Sequence, residues 1–275
     1  MTAAGEVVLE GRDLHRHFGG GRTWYGRRKP QVRAVDGVTV RAERGRTLGI
    51  VGESGCGKST LARMLVGLLE PTSGTITLDG QPVAGLKGDA ARACHKKVQM
   101  VFQDPLSSLN PRKTVRQILE GPLEALTSKG RGERRDRVEE LMRIVSLRPE
   151  FADRYPHEFS GGQCQRIGIA RALAPDPEVV LLDEPVSALD VSVQAQVLNL
   201  LRELRTRFGL TLVFISHDLA VIEALADRVM VMYQGQVVEQ APRAELFQRP
   251  QHDYTKRLLA AVPVPGRKRG VRAAS

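Results

Sequence analysis

The sequence predicts an α/β protein with a parallel sheet, and three observations lead to this fold class. Two predominantly apolar segments, residues 179–182 and 210–216, flank an amphipathic helical pattern over residues 193–208, which is the strand–helix–strand alternation of parallel sheets. Aromatic residues make up only 4% of the chain, which favours a core of aliphatic side chains like those of buried parallel strands. The 275 residues are 41% hydrophobic, enough for one large core or two modest ones, which excludes a disordered or fibrous protein.

The first part of the chain predicts an antiparallel edge followed by a buried strand and a helix. Alternating apolar residues over 7–14 and 34–40 predict two strands, separated by three glycines at 19–21 and a basic loop that ends at residue 30. Residues 46–51 predict a buried strand that leads into a glycine-rich turn and a helix over 58–68. A turn at 70–74 then precedes a short strand over 75–78.

The middle of the chain, from about residue 104 to 175, has a helical character. Residues 115–126, 132–145 and 162–173 all show helical spacing of apolar side chains, with prolines between them. We find no internal repeat and no low-complexity tract, although the last eleven residues have the composition of a tail. This region therefore predicts a helical segment inserted before the second strand–helix–strand unit.

The formal net charge of +10 is concentrated at the two ends of the chain. Residues 1–50 hold 10 basic and 5 acidic side chains, residues 241–275 hold 8 and 2, and the remainder holds 23 and 24. Basic ends suit a nucleic-acid or anionic-membrane partner, but they are also typical of solvated segments that bind nothing. The charge alone therefore leaves both interpretations open.

The sequence argues against a membrane-spanning segment, a signal peptide and sites built from cysteines. No stretch approaches the ~18–20 apolar residues that cross a bilayer. The first residues carry acids where a signal peptide has a basic start and an apolar run, so we expect the chain to remain in the cytosol. The three cysteines, Cys56, Cys94 and Cys164, are far apart and form no C-x-x-C pair, which argues against disulfides, zinc and iron–sulfur clusters.

A phosphate-binding pattern lies between the predicted strand at 46–51 and the helix that follows it. Residues 52–59 fit G-x-x-x-x-G-K-[ST], and this strand–loop–helix context is the one that supports the motif. Backbone N–H groups of such a loop surround phosphate oxygens, and the helix N-terminus adds a partial positive charge. Lys58 would reach the β- and γ-phosphates, and the Ser59 hydroxyl can coordinate Mg²⁺. The motif predicts a nucleoside triphosphate site, which GTPases, kinases and helicases share.

Two adjacent carboxylates, Asp183 and Glu184, follow the apolar strand at 179–182. They stand at the strand end where open α/β sheets bind ligands. Asp183 can hold Mg²⁺ directly or through water. Glu184 cannot point the same way and is free to accept a proton from an attacking water. A GTPase would also need an Asn-Lys-x-Asp motif, and neither Asn110 nor Asn199, the two asparagines, begins one.

The remaining motifs carry a family resemblance. The segment Phe159-Ser160-Gly161-Gly162-Gln163 resembles the signature loop of the ATP-binding-cassette (ABC) family. Other family parts occur in the family's order: Gln103 resembles the Q-loop glutamine, Asp190 the D-loop aspartate and His217 the switch histidine. The resemblance covers roughly residues 7–262.

This resemblance implies a fold and a division of the chain. The fold is a P-loop ATPase core with a mixed or parallel sheet, an antiparallel β subdomain and a helical subdomain at about 104–175. Residues 1–240 would form the ATP-binding domain, and residues 241–275 a short C-terminal extension with a basic tail.

The resemblance also implies cofactors and site residues. ATP and Mg²⁺ are the expected cofactors, with Ser59, Gln103 and Asp183 as the Mg²⁺ ligands. Glu184, His217, Lys58 and Gln103 would be the catalytic residues. The residues that bind the nucleotide would be Phe18, Gly52, Glu53, Ser54, Gly55, Cys56, Gly57, Lys58, Ser59 and Thr60.

Two parts of the implied site depend on other residues. In the family a head-to-tail dimer brings the signature loop of one subunit, here Ser160, Gly161, Gly162 and Gln163, over the γ-phosphate held by the other. An aromatic residue after the first strand stacks on adenine. Phe18 is the choice here, with Trp24 and Tyr25 as alternatives.

Several segments resemble the oligopeptide and dipeptide importer branch, and most closely its second, F-type ATPase subunit. These are residues 102–111, 155–166 and 183–196, together with residues 252–259, which resemble the branch's C-terminal extension. Asp253 stands where proline is common in that extension, and Cys164 stands where most cassettes carry arginine.

The resemblance to this branch implies partners and a location for the subunit. A second ABC ATPase subunit, in a heterodimer or a homodimer, and two transmembrane permease subunits are expected, with an extracytoplasmic peptide-binding protein acting indirectly. The subunit would be peripheral, at the cytoplasmic face of the membrane, and the substrate stays open among oligopeptides, dipeptides, nickel and glutathione.

The alternative function is that of a non-transport ABC ATPase that acts on nucleic acid or the ribosome, and the positive net charge favours it. The short chain argues against it, and no nucleic acid is expected.

Overall fold

The computed structural model describes residues 5–20, 25, 31–83 and 85–261, and its strands form two sheets. The strands are β1 (Val7–Gly19), β2 (Gln31–Glu43), β3 (Thr47–Val51), β4 (Ser73–Leu78), β5 (Gln81–Pro82), β6 (Val98–Val101), β7 (Val179–Asp183), β8 (Thr211–Ser216), β9 (Arg228–Tyr233) and β10 (Gln236–Pro242). The larger sheet has the order β10-β9-β3-β8-β7-β6, in which only the β9–β10 pair is antiparallel. The predicted α/β class is therefore confirmed.

The strands of the larger sheet alternate their side chains between two hydrophobic clusters, because successive residues of a strand point to opposite faces. In β8, Leu212 and Phe214 belong to one cluster, whereas Val213 and Ile215 belong to the other. All four side chains are nearly inaccessible to water. Both faces are thus buried, which explains why the predicted strands are mostly apolar and do not alternate between apolar and polar residues.

The smaller sheet is antiparallel throughout and has the order β2-β1-β4-β5. The strands predicted over 7–14, 34–40 and 75–78 all lie in it, and β1 and β2 extend further than predicted. Three of its apolar side chains, Leu9, Leu14 and Val38, pack in the same cluster as Leu61 and Leu65 of the helix after the glycine-rich turn. The smaller sheet therefore covers one face of the phosphate-loop helix.

The helices lie on both faces of the larger sheet, and four of them form a helical group that shares a hydrophobic cluster with one face. They are α1 (Lys58–Leu65), α2 (Gly88–Lys97), α3 (Pro105–Ser108), α4 (Val115–Leu126), α5 (Arg131–Ile144), α6 (Gly161–Leu173), α7 (Val191–Phe208), α8 (Leu219–Leu225), α9 (Arg243–Gln248) and α10 (Asp253–Ala260). In this group α4, α5 and α6 contact one another, α3 contacts α6, and α6 also contacts β6. Among the described residues, no helix is both long and apolar enough to span a membrane.

Helix ends follow local capping chemistry. Helix α4 begins at the predicted residue because the Thr114 hydroxyl accepts the N–H of Gln117 while the Gln117 side chain accepts the N–H of Thr114. Helix α1 ends at Leu65, three residues before the predicted end. Its end is followed by Gly67 at φ 75°, a left-handed conformation that suits glycine and ends a helix.

An ion-pair cluster joins the two sheets at the edge opposite the phosphate loop. Arg44, after β2, contacts the carboxylates of Asp79 and Glu178, each at 2.6 Å. Lys97, at the end of α2, contacts the same two carboxylates at 2.7 and 3.0 Å. The cluster therefore connects the β4–β5 turn of the small sheet with the start of β7 in the large one.

This cluster predicts a loss of stability in acid. The hydrogen bond from Arg44 lowers the pKa of Glu178 below its ordinary value of 4.5. An acid with a lowered folded-state pKa stabilises the fold above its unfolded pKa and loses that contribution as pH falls through the folded value. We expect Glu178→Gln to lower the melting temperature at pH 7, and the difference from wild type to shrink below pH 4.5. Thermal denaturation measures this, with the exposed Glu150→Gln as control, and a difference that is constant with pH would contradict it.

Candidate functional site

The predicted site residues lie at the carboxyl ends of four neighbouring parallel strands. Gly52 follows β3, His217 follows β8 and Glu184 follows β7, while Gln103 lies two residues after β6. These strands are adjacent in the order β3-β8-β7-β6. The sheet thus brings residues from four distant parts of the sequence to one edge, where open α/β sheets bind their ligands.

Lys58 is the first residue of α1, and its ammonium group points back into the loop before it. The side chain is buried, and Nζ donates to the carbonyl oxygens of Gly52 at 2.7 Å and Glu53 at 2.9 Å. The loop therefore fixes the lysine at the N-terminus of a helix, where anions bind favourably.

Gly57 shows why this loop needs glycine. Its φ is 106°, in the left-handed region, and a Cβ at this position would lie 2.0 Å from the carbonyl oxygen of Ala34. A second backbone contact, from the N–H of Gly235 to the carbonyl of Cys56 at 3.0 Å, holds the same turn. The backbone of the loop is thus packed directly against β2 and the β9–β10 turn.

Two oxygen ligands predicted for Mg²⁺ are already adjacent. The Ser59 hydroxyl donates to Asp183 Oδ1 at 3.0 Å. Burial raises the pKa of Asp183, and the hydrogen bond from Ser59 opposes this shift. A hydroxyl and a buried carboxylate are hard oxygen donors of the kind that Mg²⁺ prefers, so these residues fit the ion.

The Glu184 carboxylate contacts two of the other predicted catalytic residues, Gln103 and His217. Its Oε2 accepts a hydrogen bond from the Gln103 amide at 3.1 Å and lies 3.1 Å from His217 Nδ1. Its own N–H donates to the carbonyl of Ile215 in β8 at 3.0 Å, and its φ of 47° is left-handed, which is unusual for a residue with a side chain. The backbone thus turns sharply after Asp183 and aims the two carboxylates differently.

These groups line one open cleft of about 770 Å³. Its walls include Lys58, Gln103, Glu184, His217 and most of the phosphate loop up to Thr60. The cleft is large enough for a nucleotide. Cys56 is the exception within the loop, because its side chain is buried below the turn with Sγ 3.8 Å from Lys58 Nζ.

The residue predicted to stack on adenine lies near one end of the cleft. Phe18, in β1, is 40% exposed and pairs with Val32 of β2, which lines the cleft. Paired residues of antiparallel strands share one face of the sheet. The guanidinium of Arg16 lies 4.9 Å from the Phe18 ring centroid. Of the two alternatives, Tyr25 is exposed, and Trp24 is outside the described residues.

The signature loop lies apart from this cleft and forms the start of α6. The Ser160 hydroxyl accepts the N–H of Gln163, and the Gln163 side chain accepts the N–H of Ser160. A Cβ on Gly162 would lie 2.4 Å from Val193 of α7, so the loop packs tightly against the helix that follows Asp190. Among the described residues, none of this loop lines the cleft.

Two residues of the C-terminal region contact the site and were not predicted from the sequence. Leu258, in α10, lines the cleft, and the buried Tyr254 hydroxyl accepts the N–H of Glu53 at 3.1 Å. The sequence gives little sign of either residue, because an isolated leucine and an isolated tyrosine belong to no motif.

Cys164, which stands where most cassettes carry arginine, is fully buried in the first turns of α6. Its thiol donates to the carbonyl of Pro156 at 3.4 Å. Burial raises the pKa of the thiol. The side chain therefore acts as a small packing residue beneath the signature loop.

A second group of possible metal ligands lies in the small sheet. Ligand atoms of His15, His17 and Asp36 all lie within 4.8 Å of one another. The Asp36 carboxylate is already 3.1 Å from His15 Nδ1 and 3.5 Å from an Arg33 nitrogen. His15 Nε2 also contacts Asp13 at 3.1 Å. Of these contacts, the one between His15 and Asp36 joins β1 to β2.

Comparison with known proteins supports the family resemblance of this chain. The family model "ABC transporter" matches residues 35–187, and the model "Oligopeptide/dipeptide transporter, C-terminal region" matches residues 238–274. The oligopeptide transport ATP-binding protein OppF of Escherichia coli is 51% identical, and the match covers 96% of this chain and 80% of that protein. AppF of Bacillus subtilis is 53% identical over 98% of this chain and 82% of its own length.

Solved structures agree with the sequence matches. A dimeric ATP-binding cassette in a post-hydrolysis state, bound to ADP and Pi, has a TM-score of 0.75 and 29% identity. The match covers 86% of this chain and 98% of that one. The cassette cbiO1 of Clostridium perfringens has a TM-score of 0.74 and 28% identity, with 89% of this chain and 92% of that one covered. The chain therefore belongs to the ABC transporter family and is one of its ATPases.

Proposed function

We propose that this chain is the ATP-hydrolysing subunit of an importer for oligopeptides or dipeptides. The observation that carries the proposal is the C-terminal region, residues 238–274, which matches the region specific to oligopeptide and dipeptide transporters. Part of this region packs against the phosphate loop, so it belongs to the ATPase itself. Relatives named for peptide transport, including a di/tripeptide protein of Pseudomonas aeruginosa at 52% identity, support the same class of substrate.

The geometry supports attack of water on the γ-phosphate. Lys58 would neutralise phosphate charge, since its ammonium group is fixed by two loop carbonyls. Glu184 would accept the proton of the attacking water, and His217 and Gln103 would hold the carboxylate and the water in line. Ser59, Asp183 and Gln103 would hold Mg²⁺, which supplies charge neutralisation at the phosphates when it is bound.

Closure of the site is proposed to need a second cassette. Ser160, Gly161 and Gly162 form a helix N-terminus that suits an anion, yet this loop does not line the cleft of its own subunit. A head-to-tail pair would place it over the phosphates bound by the partner, with Asp190 beside the interface. The dimeric state of the neighbouring cassette structure supports this arrangement. A heterodimer and a homodimer both satisfy the geometry.

The subunit is proposed to sit on the cytoplasmic face of the membrane against two permease subunits. Gln103 precedes the helical group α3–α6, so a change at the γ-phosphate could move that group and the permease helices docked on it. The basic residues Arg267, Lys268, Arg269 and Arg272 lie outside the described residues, and they suit an anionic leaflet.

Purification from the native host tests the transport proposal against its alternative. We expect the tagged full chain to co-purify with two membrane subunits and a second cassette, and peptides delivered by a binding protein to stimulate ATPase activity of the reconstituted complex. Recovery with nucleic acid or ribosomes instead would overturn it in favour of a non-transport ATPase. Stimulation by nickel or glutathione but not by peptides would overturn the peptide substrate alone.

A further inference from the structure

The hydroxyl of Tyr254 joins the C-terminal region to the phosphate loop. The side chain is 3% exposed, and its Oη accepts the N–H of Glu53 at 3.1 Å. Burial raises the pKa of Tyr254, so the hydroxyl is neutral at physiological pH and adds no negative charge beside bound phosphates.

This hydrogen bond is made to the same peptide group that holds the catalytic lysine. The carbonyl of Gly52 accepts from Lys58 Nζ at 2.7 Å, and the N–H of Glu53 is the other polar group of that peptide unit. The N–H and C=O of a planar trans peptide point in opposite directions. Tyr254 and Lys58 therefore hold the two sides of one rigid unit, and a rotation of this unit would break both contacts.

Tyr254 is itself held in place from two directions. Its ring packs against Tyr233 at the end of β9, with centroids 4.3 Å apart. The Glu239 carboxylate in β10 accepts the N–H groups of Gln251 at 2.8 Å and His252 at 3.0 Å, which fixes the start of α10. The hydroxyl is therefore presented to the loop by a rigid part of the fold.

We propose that Tyr254 is a positioning residue for ATP binding, whose hydroxyl fixes the Gly52–Glu53 peptide so that its carbonyl orients Lys58. It acts through the peptide and the lysine and does not touch the nucleotide. The inference rests on the ATP site of this family member alone, so it stands or falls separately from the peptide substrate proposed above.

The test compares Tyr254→Phe with Tyr233→Phe in the full chain. Both variants lose one hydroxyl from the same ring pair, but the Tyr233 hydroxyl contacts Gln234 at 3.2 Å and not the loop. Loss of a buried hydrogen-bond partner predicts about a fivefold to tenfold weaker affinity for a fluorescent ATP analogue in Tyr254→Phe. Tyr233→Phe should stay within twofold of wild type. Equal weakening in both variants, or none in Tyr254→Phe, would overturn the proposal.

A double-mutant cycle identifies the route of the effect. If Tyr254 acts through Lys58, then Tyr254→Phe should change ATP affinity less than twofold in a Lys58→Met background. A purely structural role would make the two effects additive, and additive effects would overturn the proposal.

Hydrogen exchange of the wild-type chain provides a measurement that needs no variant. The Glu53 amide should exchange slowly, because its partner is a buried hydroxyl. Exchange of this amide at the rate of an unprotected loop would overturn the proposal even if the variants did not fold.

Discussion

Replacing Glu184 with glutamine is expected to reduce ATP hydrolysis by a factor on the order of 10²–10⁴, the usual size of a general-base effect, while ATP still binds. Glutamine keeps the size of the side chain and one carbonyl oxygen, which can still accept the Gln103 hydrogen bond. It cannot take a proton from water. Binding depends instead on the phosphate loop, which the substitution does not touch.

Phosphate release under single-turnover conditions and binding of a fluorescent ATP analogue measure the two parts of this prediction. Glu178→Gln is the matched control, because that carboxylate pairs with Arg44 and Lys97 outside the cleft. It should change stability but leave turnover near the wild-type value. Turnover of Glu184→Gln within threefold of wild type would exclude Glu184 as the base.

Replacing Lys58 with methionine is expected to weaken ATP binding by roughly 10- to 150-fold. A charge-assisted hydrogen bond contributes about 1.5–3 kcal/mol, which corresponds to this range in Kd. Methionine keeps the apolar stem, so the loss reports the ammonium group and not the packing of α1. The carbonyls of Gly52 and Glu53 also lose their donor, which loosens the loop.

Equilibrium titration with an ATP analogue measures this loss. Lys97→Met is the matched control, since Lys97 is a paired cation in the ion-pair cluster with Asp79 and Glu178. We expect it to bind ATP as wild type does. Equal affinity of Lys58→Met and wild type would show that the loop backbone alone binds the phosphates.

The elements with strong periodicity could be predicted, and those fixed by tertiary contacts could not. Strands β7 and β8 are continuous apolar runs, and helix α4 has both an amphipathic pattern and a capping box, so their positions were predicted within one residue or two. Strand β6 has four residues and β10 is half-exposed, which leaves too little pattern to identify them. The order of strands in the sheet also depends on pairing across the chain.

In the candidate site, too, the local motifs could be predicted from the sequence and the contacts between distant residues could not. The phosphate loop and the Asp183–Glu184 pair are local in sequence, so their chemistry is readable from the residues themselves. Their convergence with His217 and Gln103 follows from strand order, and only the family resemblance indicated it. Tyr254 was missed because its role depends on one hydroxyl reaching a backbone amide 201 positions away.

Because all three native cysteines are buried, we expect them to react little with thiol-directed probes. Cys56, Cys94 and Cys164 are each at most 9% exposed, and burial raises the pKa of every one of these thiols, so little reactive thiolate forms at neutral pH. A cysteine introduced on the exposed face of α5 and another on α7 would therefore carry probes selectively without removal of the native residues. Distances between such probes, followed through a cycle of ATP addition and hydrolysis, would report directly on movement of the helical group against the sheet.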